Sequence, residues 1–212
     1  LFKRGQIFNG RLYIESSGSQ DAPILISAYG LGTKPILDSR GPLPNWTKTS
    51  AWSQQSSSIW MMELEQQPWR MWLSGQEYVQ AYDLFSVDTY YRFYHDGDAK
   101  VIYVYAPSNP AIFYEDMTGL QNNVTTVQIS DRQYMEFTQL ELRGGYGACL
   151  HIWSSHYIKI HNLTIGYTFK GISVNGRPET DRPSSYCEIS DCVLDSQFTF
   201  PFNHSNVGTH DG

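Results

Sequence analysis

The 212-residue sequence is poor in charge and has no long apolar runs. Charged residues make up 17% of it and hydrophobic residues 41%, which is not the composition of a disordered chain. No apolar run approaches the roughly 18 residues that cross a membrane. The net charge of -6 excludes a broadly basic surface, so we expect neither a membrane span nor a nucleic-acid partner.

Cysteines are also scarce, and their number does not suit a disulfide framework. Cys149, Cys187 and Cys192 make three, with no spacing typical of a metal site. Free cysteine is among the most frequently buried residues. We therefore expect reduced thiols in a core, with a Cys187–Cys192 bridge and a reactive thiol as the alternatives.

Aromatic residues and glycine are abundant. Fifteen Tyr, ten Phe, six Trp and 17 Gly favour strands and turns over helices. No segment shows the apolar periodicity of a long helix. The composition therefore predicts an all-β protein.

Three stretches in the second half repeat one pattern. They begin at Tyr134, Tyr157 and Tyr186, so the intervals are 157 − 134 = 23 and 186 − 157 = 29 residues. Each reads as two short strands of alternating apolar residues joined by two polar residues. A third strand follows the first two copies, at 149–152 and 171–174. Three short strands per repeat are typical of a parallel β-helix, a solenoid with one repeat per coil.

The alignment of the repeats predicts which side chains stack between coils. One column, Gln139, Asn162 and Asp191, lies in the turn between strands, where Asn and Asp tolerate a left-handed conformation. The inward columns are Met135/Ile158/Cys187, Phe137/Ile160/Ile189, Leu140/Leu163/Cys192 and Leu142/Ile165/Leu194.

The middle of the chain departs from this pattern. We expect residues 1–42 to form the first coils of the β-helix. Residues 43–120 instead contain longer strands and a hairpin signal, Asp96-Gly97-Asp98. We interpret 43–120 as an antiparallel β insertion packed on the helix. Residues 121–212 would return to β-helix coils that continue beyond the chain end.

Five stretches carry a resemblance to known proteins: 1–14, 22–30, 101–107, 157–165 and 210–212. They resemble pectin-lyase-like, right-handed parallel β-helix proteins, especially large secreted bacterial ones. The resemblance implies a right-handed solenoid. Proteins with this fold include polysaccharide lyases, glycoside hydrolases, epimerases and adhesive or structural proteins, so the fold does not choose a function.

Candidate catalytic residues fall on the outward face of the predicted third strands. Lys170 and Asp211 each precede a glycine and align on adjacent coils, and His210 lies beside Asp211. His151 projects from the same face one coil earlier. These four residues supply an acid, a base and a cation.

Trp153 and Asn175 on that face are the candidate substrate-binding residues. An indole offers a flat apolar surface to a sugar ring, and an amide offers hydrogen bonds. The expected partner is therefore a polysaccharide.

Another outward column contains Glu136, Lys159 and Glu188. Adjacent strands lie about 4.8 Å apart, which predicts a surface salt-bridge ladder. His161 is interpreted as a lone surface histidine.

Two kinds of accessory site are also considered. Asp181, Asp191 and Asp195 could contribute to a Ca²⁺ site, although no calcium-binding repeat is present. No other cofactor is implied. Sequons for glycosylation occur at Asn45, Asn123, Asn162 and Asn203.

The leading hypothesis is an extracellular or cell-surface protein that binds or cleaves polysaccharide as a lyase or glycoside hydrolase. Lyase chemistry needs a Lys, Arg or His base, whereas hydrolysis needs two carboxyl groups. The alternative is a non-catalytic adhesin or fibre subunit. Such a subunit would self-associate through strand edges at the ends of the β-helix.

Overall fold

The computed structural model describes residues 1–88, 90–120, 124–168, 170–176 and 183–195. The prediction of an all-β chain is confirmed, since strands account for nearly all regular structure within these ranges. The strands are β1 Phe2–Lys3, β2 Ile7–Asn9, β3 Leu12–Tyr13, β4 Ile24–Ile26, β5 Ala28–Tyr29, β6 Ile36–Asp38, β7 Gly41–Pro42, β8 Trp52–Gln54, β9 Ile59–Glu63, β10 Arg70–Leu73, β11 Gln76–Gln80, β12 Arg92–Asp96, β13 Val101–Tyr105, β14 Met117–Leu120, β15 Val127–Ser130, β16 Gln133–Thr138, β17 Glu141–Arg143, β18 Leu150–Trp153, β19 His156–His161, β20 Thr164–Gly166, β21 Ile172–Asn175, β22 Glu188–Ser190 and β23 Val193–Asp195.

Three parallel sheets form one unit, which we call the parallel stack. Sheet I contains β3, β15, β18 and β21; sheet II contains β4, β16, β19 and β22; sheet III contains β2, β6, β17, β20 and β23. Every pairing within these sheets is parallel. The chain passes from sheet I to sheet II to sheet III and then returns to sheet I. Each such passage forms one rung.

The strand register agrees with the inward columns predicted from the sequence. Phe137 is paired with Ile160, and Ile160 with Ile189. Phe137 and Ile160 are buried, but Ile189 and Leu194 are 44% and 58% exposed. These two residues belong to the last described rung, where no described strand covers their outer side.

The predicted turn column adopts the left-handed conformation. Gln139, Asn162 and Asp191 have φ values of 60°, 53° and 51°. Parallel register places the same turn above itself in successive rungs, so the same backbone geometry recurs.

A second left-handed column was not predicted. Tyr134, Tyr157 and Tyr186 have φ values of 55°, 56° and 54°. Their rings stack almost parallel, with centroids 4.7 and 4.8 Å apart. Tyrosine is unusual in this conformation, and ring stacking between rungs offsets part of the strain.

Residues between β6 and β15 contribute an eight-stranded sheet, which we call the insertion sheet, in the order β7-β14-β10-β11-β12-β13-β9-β8. Most of its pairings are antiparallel, as the sequence predicts. The β11–β12 pair is parallel, with Val79 opposite Arg92, so the prediction of a purely antiparallel insertion is wrong. The segment between β11 and β12 contains a 3-10 helix, Leu84–Ser86. Asp83 caps this helix, because its carboxylate accepts a hydrogen bond from the Ser86 N–H at 2.9 Å.

The hairpin signal at 96–98 is confirmed. Strands β12 and β13 pair antiparallel, with Asp96 opposite Val101. The Asp96 carboxylate accepts hydrogen bonds from the N–H groups of Asp98 and Ala99 at 3.0 and 2.9 Å. An aspartate that bonds to the backbone ahead of it stabilises a turn at this position.

The sequence did not predict the short α-helix α1, Pro110–Phe113. Asn109 caps it by accepting from the Ala111 N–H at 3.1 Å, and Pro110 occupies the first turn. Both positions are favourable for those residue types. Four residues are too few for periodicity to reveal. No helix in the described ranges is long and apolar enough to cross a membrane.

Arg40 joins the insertion sheet to the parallel stack. Its guanidinium pairs with the Asp38 carboxylate at 2.7 Å, and both side chains are largely buried. The guanidinium carbon lies 5.1 Å from the ring centroid of Trp72 in the insertion sheet. It lies 4.2 Å from the ring centroid of Tyr167 in the stack, so one cation contacts aromatic rings from both parts.

The inward columns generate a prediction about stability. We expect Ile160→Ala to lower the free energy of unfolding by about 2–5 kcal/mol, because it opens a cavity between packed rungs. Lys159→Ala removes an exposed neighbour on the same strand and should cost far less. Urea denaturation measures both, and equal losses would contradict the inward assignment.

The cysteines generate a second prediction. Cys149 is fully buried, and burial raises the pKa of its thiol to about 12. Cys187 and Cys192 are free and pack at the edge of the same core. In the folded protein at neutral pH, Cys149 should therefore react slowest with iodoacetamide, as measured by mass spectrometry. A quantitative Cys187–Cys192 disulfide would overturn this assignment.

Candidate functional site

The outward face of sheet I brings together three of the residues singled out from sequence, His151, Trp153 and Asn175, and adds Ser173 to them. The Asn175 amide nitrogen lies 3.0 Å from His151 Nε2 and 2.9 Å from the Ser173 hydroxyl. The rings of His151 and Trp153 meet edge to face, with centroids 5.1 Å apart. Parallel pairing sets this arrangement, because β18 and β21 align His151 with Ser173 and Trp153 with Asn175.

The pKa of His151 is lowered, first by burial and second by the positive charge of Lys170. The imidazole is therefore neutral at pH 7 and can accept a proton or a hydrogen bond. Lys170 itself is exposed and lies two residues before β21. His210 and Asp211, the other two predicted catalytic residues, lie outside the described residues.

Trp153 presents a polar atom without a partner on the same face. Its indole Nε1 is buried and has no hydrogen-bond partner among the described residues. A buried donor of this kind is costly to leave unpaired.

The outward face of sheet II differs from the expected salt-bridge ladder. Glu136, Lys159 and Glu188 do align across three strands. In the part of the chain that the structure describes, however, Lys159 forms no ion pair. Glu136 instead bonds diagonally to His161 Nε2 at 2.9 Å, while Thr138 lies 3.2 Å from His161 Nδ1.

The ladder prediction is therefore wrong, and His161 is not a lone surface histidine. The imidazole reaches the carboxylate diagonally on the neighbouring strand, whereas an extended lysine side chain gains little by fixing itself in solvent.

A cleft lies beside the insertion sheet, and we call it the aromatic cleft. It is open to solvent and has a volume of about 810 Å³. Polar side chains line it as well, among them Arg70, Glu77 and Arg92. Its aromatic lining residues are Trp69, Tyr78, Tyr82, Tyr90, Tyr91 and Tyr146.

Both parts of the molecule build the aromatic cleft. Trp69 immediately precedes β10 in the insertion sheet, whereas Tyr146 lies between β17 and β18 of the parallel stack. Their ring centroids are 4.6 Å apart and their planes are tilted by 31°.

Two glycines shape the loop that carries Tyr146. Gly144 and Gly145 have φ values of 90° and 85°. A Cβ atom on Gly145 would lie 2.3 Å from the Ala148 carbonyl oxygen. Glycine at both positions lets the loop turn sharply and bring Tyr146 to Trp69.

An ion pair lies in the wall of the aromatic cleft. Arg70 Nη1 on β10 is 3.1 Å from Glu77 Oε1 on β11, and both side chains are mostly buried. Burial raises the pKa of Glu77, while the Arg70 charge partly opposes that rise. The pair combines guanidinium donors with carboxylate acceptors on a partly dehydrated surface.

Arg92 adds a second guanidinium to the aromatic cleft. It is exposed on β12 and forms no ion pair within the described ranges. The cleft thus combines flat apolar rings, a donor–acceptor pair and a further cation. Such a surface suits a ligand with both apolar faces and hydroxyl groups.

Sequence reasoning missed the aromatic cleft. Trp69 and Tyr146 are 146 − 69 = 77 positions apart and belong to no repeating pattern. The signal in the sequence was the high aromatic content, which by itself indicates strands but not which rings meet.

The calcium site and the glycosylation sites considered from sequence remain predictions. No group of three or more His, Cys, Asp or Glu residues that could hold a metal occurs within the described residues. Asp181 lies outside them, so the calcium hypothesis stays a prediction. Among the sequons, Asn45 and Asn162 are exposed, while Asn123 and Asn203 fall outside the described residues.

Comparison with known proteins yields few matches. No family model matches the chain. No curated protein matches it either. Among solved structures, the chain is similar to XylC in its complex with xylose, at 10% identity and a TM-score of 0.46. The match covers 91% of this chain and 46% of the XylC chain, so this chain spans less than half of that length.

The raised pKa of Glu77 generates a prediction about pH. A carboxyl whose pKa is higher in the folded state stabilises the fold fully below the unfolded pKa of about 4.3. That contribution is lost as pH rises through the folded pKa. The stability of wild type relative to Glu77→Gln should therefore fall as pH rises from below about 4.3 toward neutral. Urea denaturation across this range measures the difference, and a difference independent of pH would contradict the assignment.

Proposed function

We propose that this protein binds polysaccharide, and that its parallel stack is a right-handed parallel β-helix. The parallel strand order supports right-handedness through a general tendency of such connections. Successive parallel strands of one sheet are joined by a crossover through the other two sheets, and such crossovers are right-handed in about 98% of cases. The four described rungs then form consecutive coils of one solenoid.

The lining of the aromatic cleft is the observation that supports a polysaccharide ligand. A sugar ring has apolar C–H faces and hydroxyl edges, so it fits rings flanked by charged hydrogen-bonding groups. Trp69 and Tyr146 provide the rings, while Arg70 and Glu77 provide donors and acceptors. The opening to solvent lets a chain extend beyond the bound unit.

Cleavage of the bound chain is a separate hypothesis. Hydrolysis uses two carboxyl groups about 5–9.5 Å apart, and the described lining of the aromatic cleft presents a single one, Glu77. A lyase would need a proton acceptor, and His151, beside Lys170 on sheet I, has the lowered pKa of a neutral base. We therefore propose binding as the function and lyase or hydrolase activity as its enzymatic form.

We place the protein outside the cell or at its surface, because a polymer is met there without having to be imported. A non-catalytic adhesin would use the same binding surface without turnover. Product analysis distinguishes the two, since an enzyme shortens the chains and an adhesin leaves them intact.

Replacing Trp69 tests the proposed ligand. We expect wild type to bind at least one member of a panel of soluble polysaccharides in affinity electrophoresis. Trp69→Ala should weaken that binding by roughly 10-fold, because one stacking surface is lost. Trp69→Phe should retain most of it.

Tyr29→Ala is the matched control, because it removes an exposed ring that does not line the aromatic cleft. Circular dichroism and thermal melting show whether each variant is folded. Absence of binding by wild type, or equal binding by a folded Trp69→Ala variant, would refute the proposal.

A further inference from the structure

Aromatic contacts continue from the aromatic cleft onto the outer surface of the insertion sheet. Tyr90 lines the cleft. Its ring centroid lies 4.8 Å from that of Tyr105 and 6.3 Å from that of Phe113. Neither Tyr105 nor Phe113 lines the cleft, so these contacts lead outward. We call Tyr90, Tyr105 and Phe113 the outer aromatic strip.

The outer strip is accessible to solvent. Tyr90 and Phe113 are 40% and 41% exposed, and Tyr105 is partly buried beside them. The planes of Tyr90 and Phe113 differ by 31°, so they form a gently bent surface. Exposed aromatic rings in contact with one another are a typical feature of binding surfaces.

Hydrogen bonds and ring contacts hold the outer strip in place. Phe113 ends α1, and the Asn109 amide that caps this helix also donates to the Thr49 carbonyl at 3.0 Å. Phe113 packs edge to face on Tyr114, whose hydroxyl donates to the Tyr105 carbonyl at 2.6 Å. A surface fixed in advance loses little conformational entropy when it binds.

The chemistry of the outer strip matches that of the cleft beside it. It presents apolar ring faces with tyrosine hydroxyls at their edges and carries no charge. Continuity with the aromatic cleft through Tyr90 therefore favours one extended ligand over two unrelated ones.

We propose that the outer aromatic strip is an accessory subsite for the polysaccharide that occupies the aromatic cleft. This inference rests on the proposed function and specifies its ligand as a long chain that crosses the rim at Tyr90. A short oligosaccharide fills the cleft alone, whereas a longer one also stacks on Phe113. Affinity should therefore increase with chain length.

Phe113→Ala tests the strip with an oligosaccharide series prepared from the polysaccharide that wild type binds. Isothermal titration calorimetry should show affinity rising with length for wild type. In Phe113→Ala, affinity for the longest oligosaccharides should fall about 2- to 10-fold, while affinity for the shortest stays unchanged. Trp69→Ala should weaken binding at every length, which separates the two sites.

Ile112→Ala is the matched control, because Ile112 is 73% exposed on the same helix but has no ring. Phe113→Leu retains apolar volume and should reproduce the loss if Phe113→Ala fails to fold. The same length dependence in Phe113→Leu and wild type would overturn the accessory subsite while leaving the proposed function intact.

Two other results would also overturn the inference. Wild type that binds no oligosaccharide of any length would remove the proposed function as well. Sedimentation that finds a wild-type dimer dissociated by Phe113→Ala would assign the outer strip to self-association.

Discussion

The contact between Arg40 and its neighbours determines how the two parts of this molecule fit together. Burying a guanidinium is costly unless it is paired, and Asp38 pairs with it directly. The planar cation then lies close to Trp72 of the insertion sheet and Tyr167 of the parallel stack. Because the walls of the aromatic cleft come from both parts, the shape of the cleft depends on this contact.

Two surfaces of different origin result from this arrangement. The face of sheet I follows from strand register, which aligns His151 and Trp153 with polar residues on the next rung. The aromatic cleft follows from packing between non-repeating segments, where Trp69 meets Tyr146. The face of sheet I repeats the same strand register in each rung, whereas the aromatic cleft depends on a contact between two segments that do not repeat. The proposed ligand recognition therefore rests on the cleft.

Partial dehydration gives the cleft its chemical character. Glu77 has a raised pKa because it is buried, although Arg70 stabilises its charged form. Hydroxyl groups that bond to such a pair replace water that is already restricted, so the interaction is stronger than on an open surface. For the proposed sugar ligand, polar groups would set the orientation and the rings would supply contact area. Extension along Tyr90 and Phe113 would then favour polymers over single sugars.

The sequence alone determined the repeating part of the structure. Inward residues such as Phe137 and Ile160, and the left-handed turn at Asn162, recur at fixed intervals because each rung meets the same environment. The tertiary structure alone decided the contact between Trp69 and Tyr146, the parallel pairing of β11 with β12, and the hydrogen bond from His161 to Glu136. These contacts join segments that share no period, so their distances depend on how the whole chain packs.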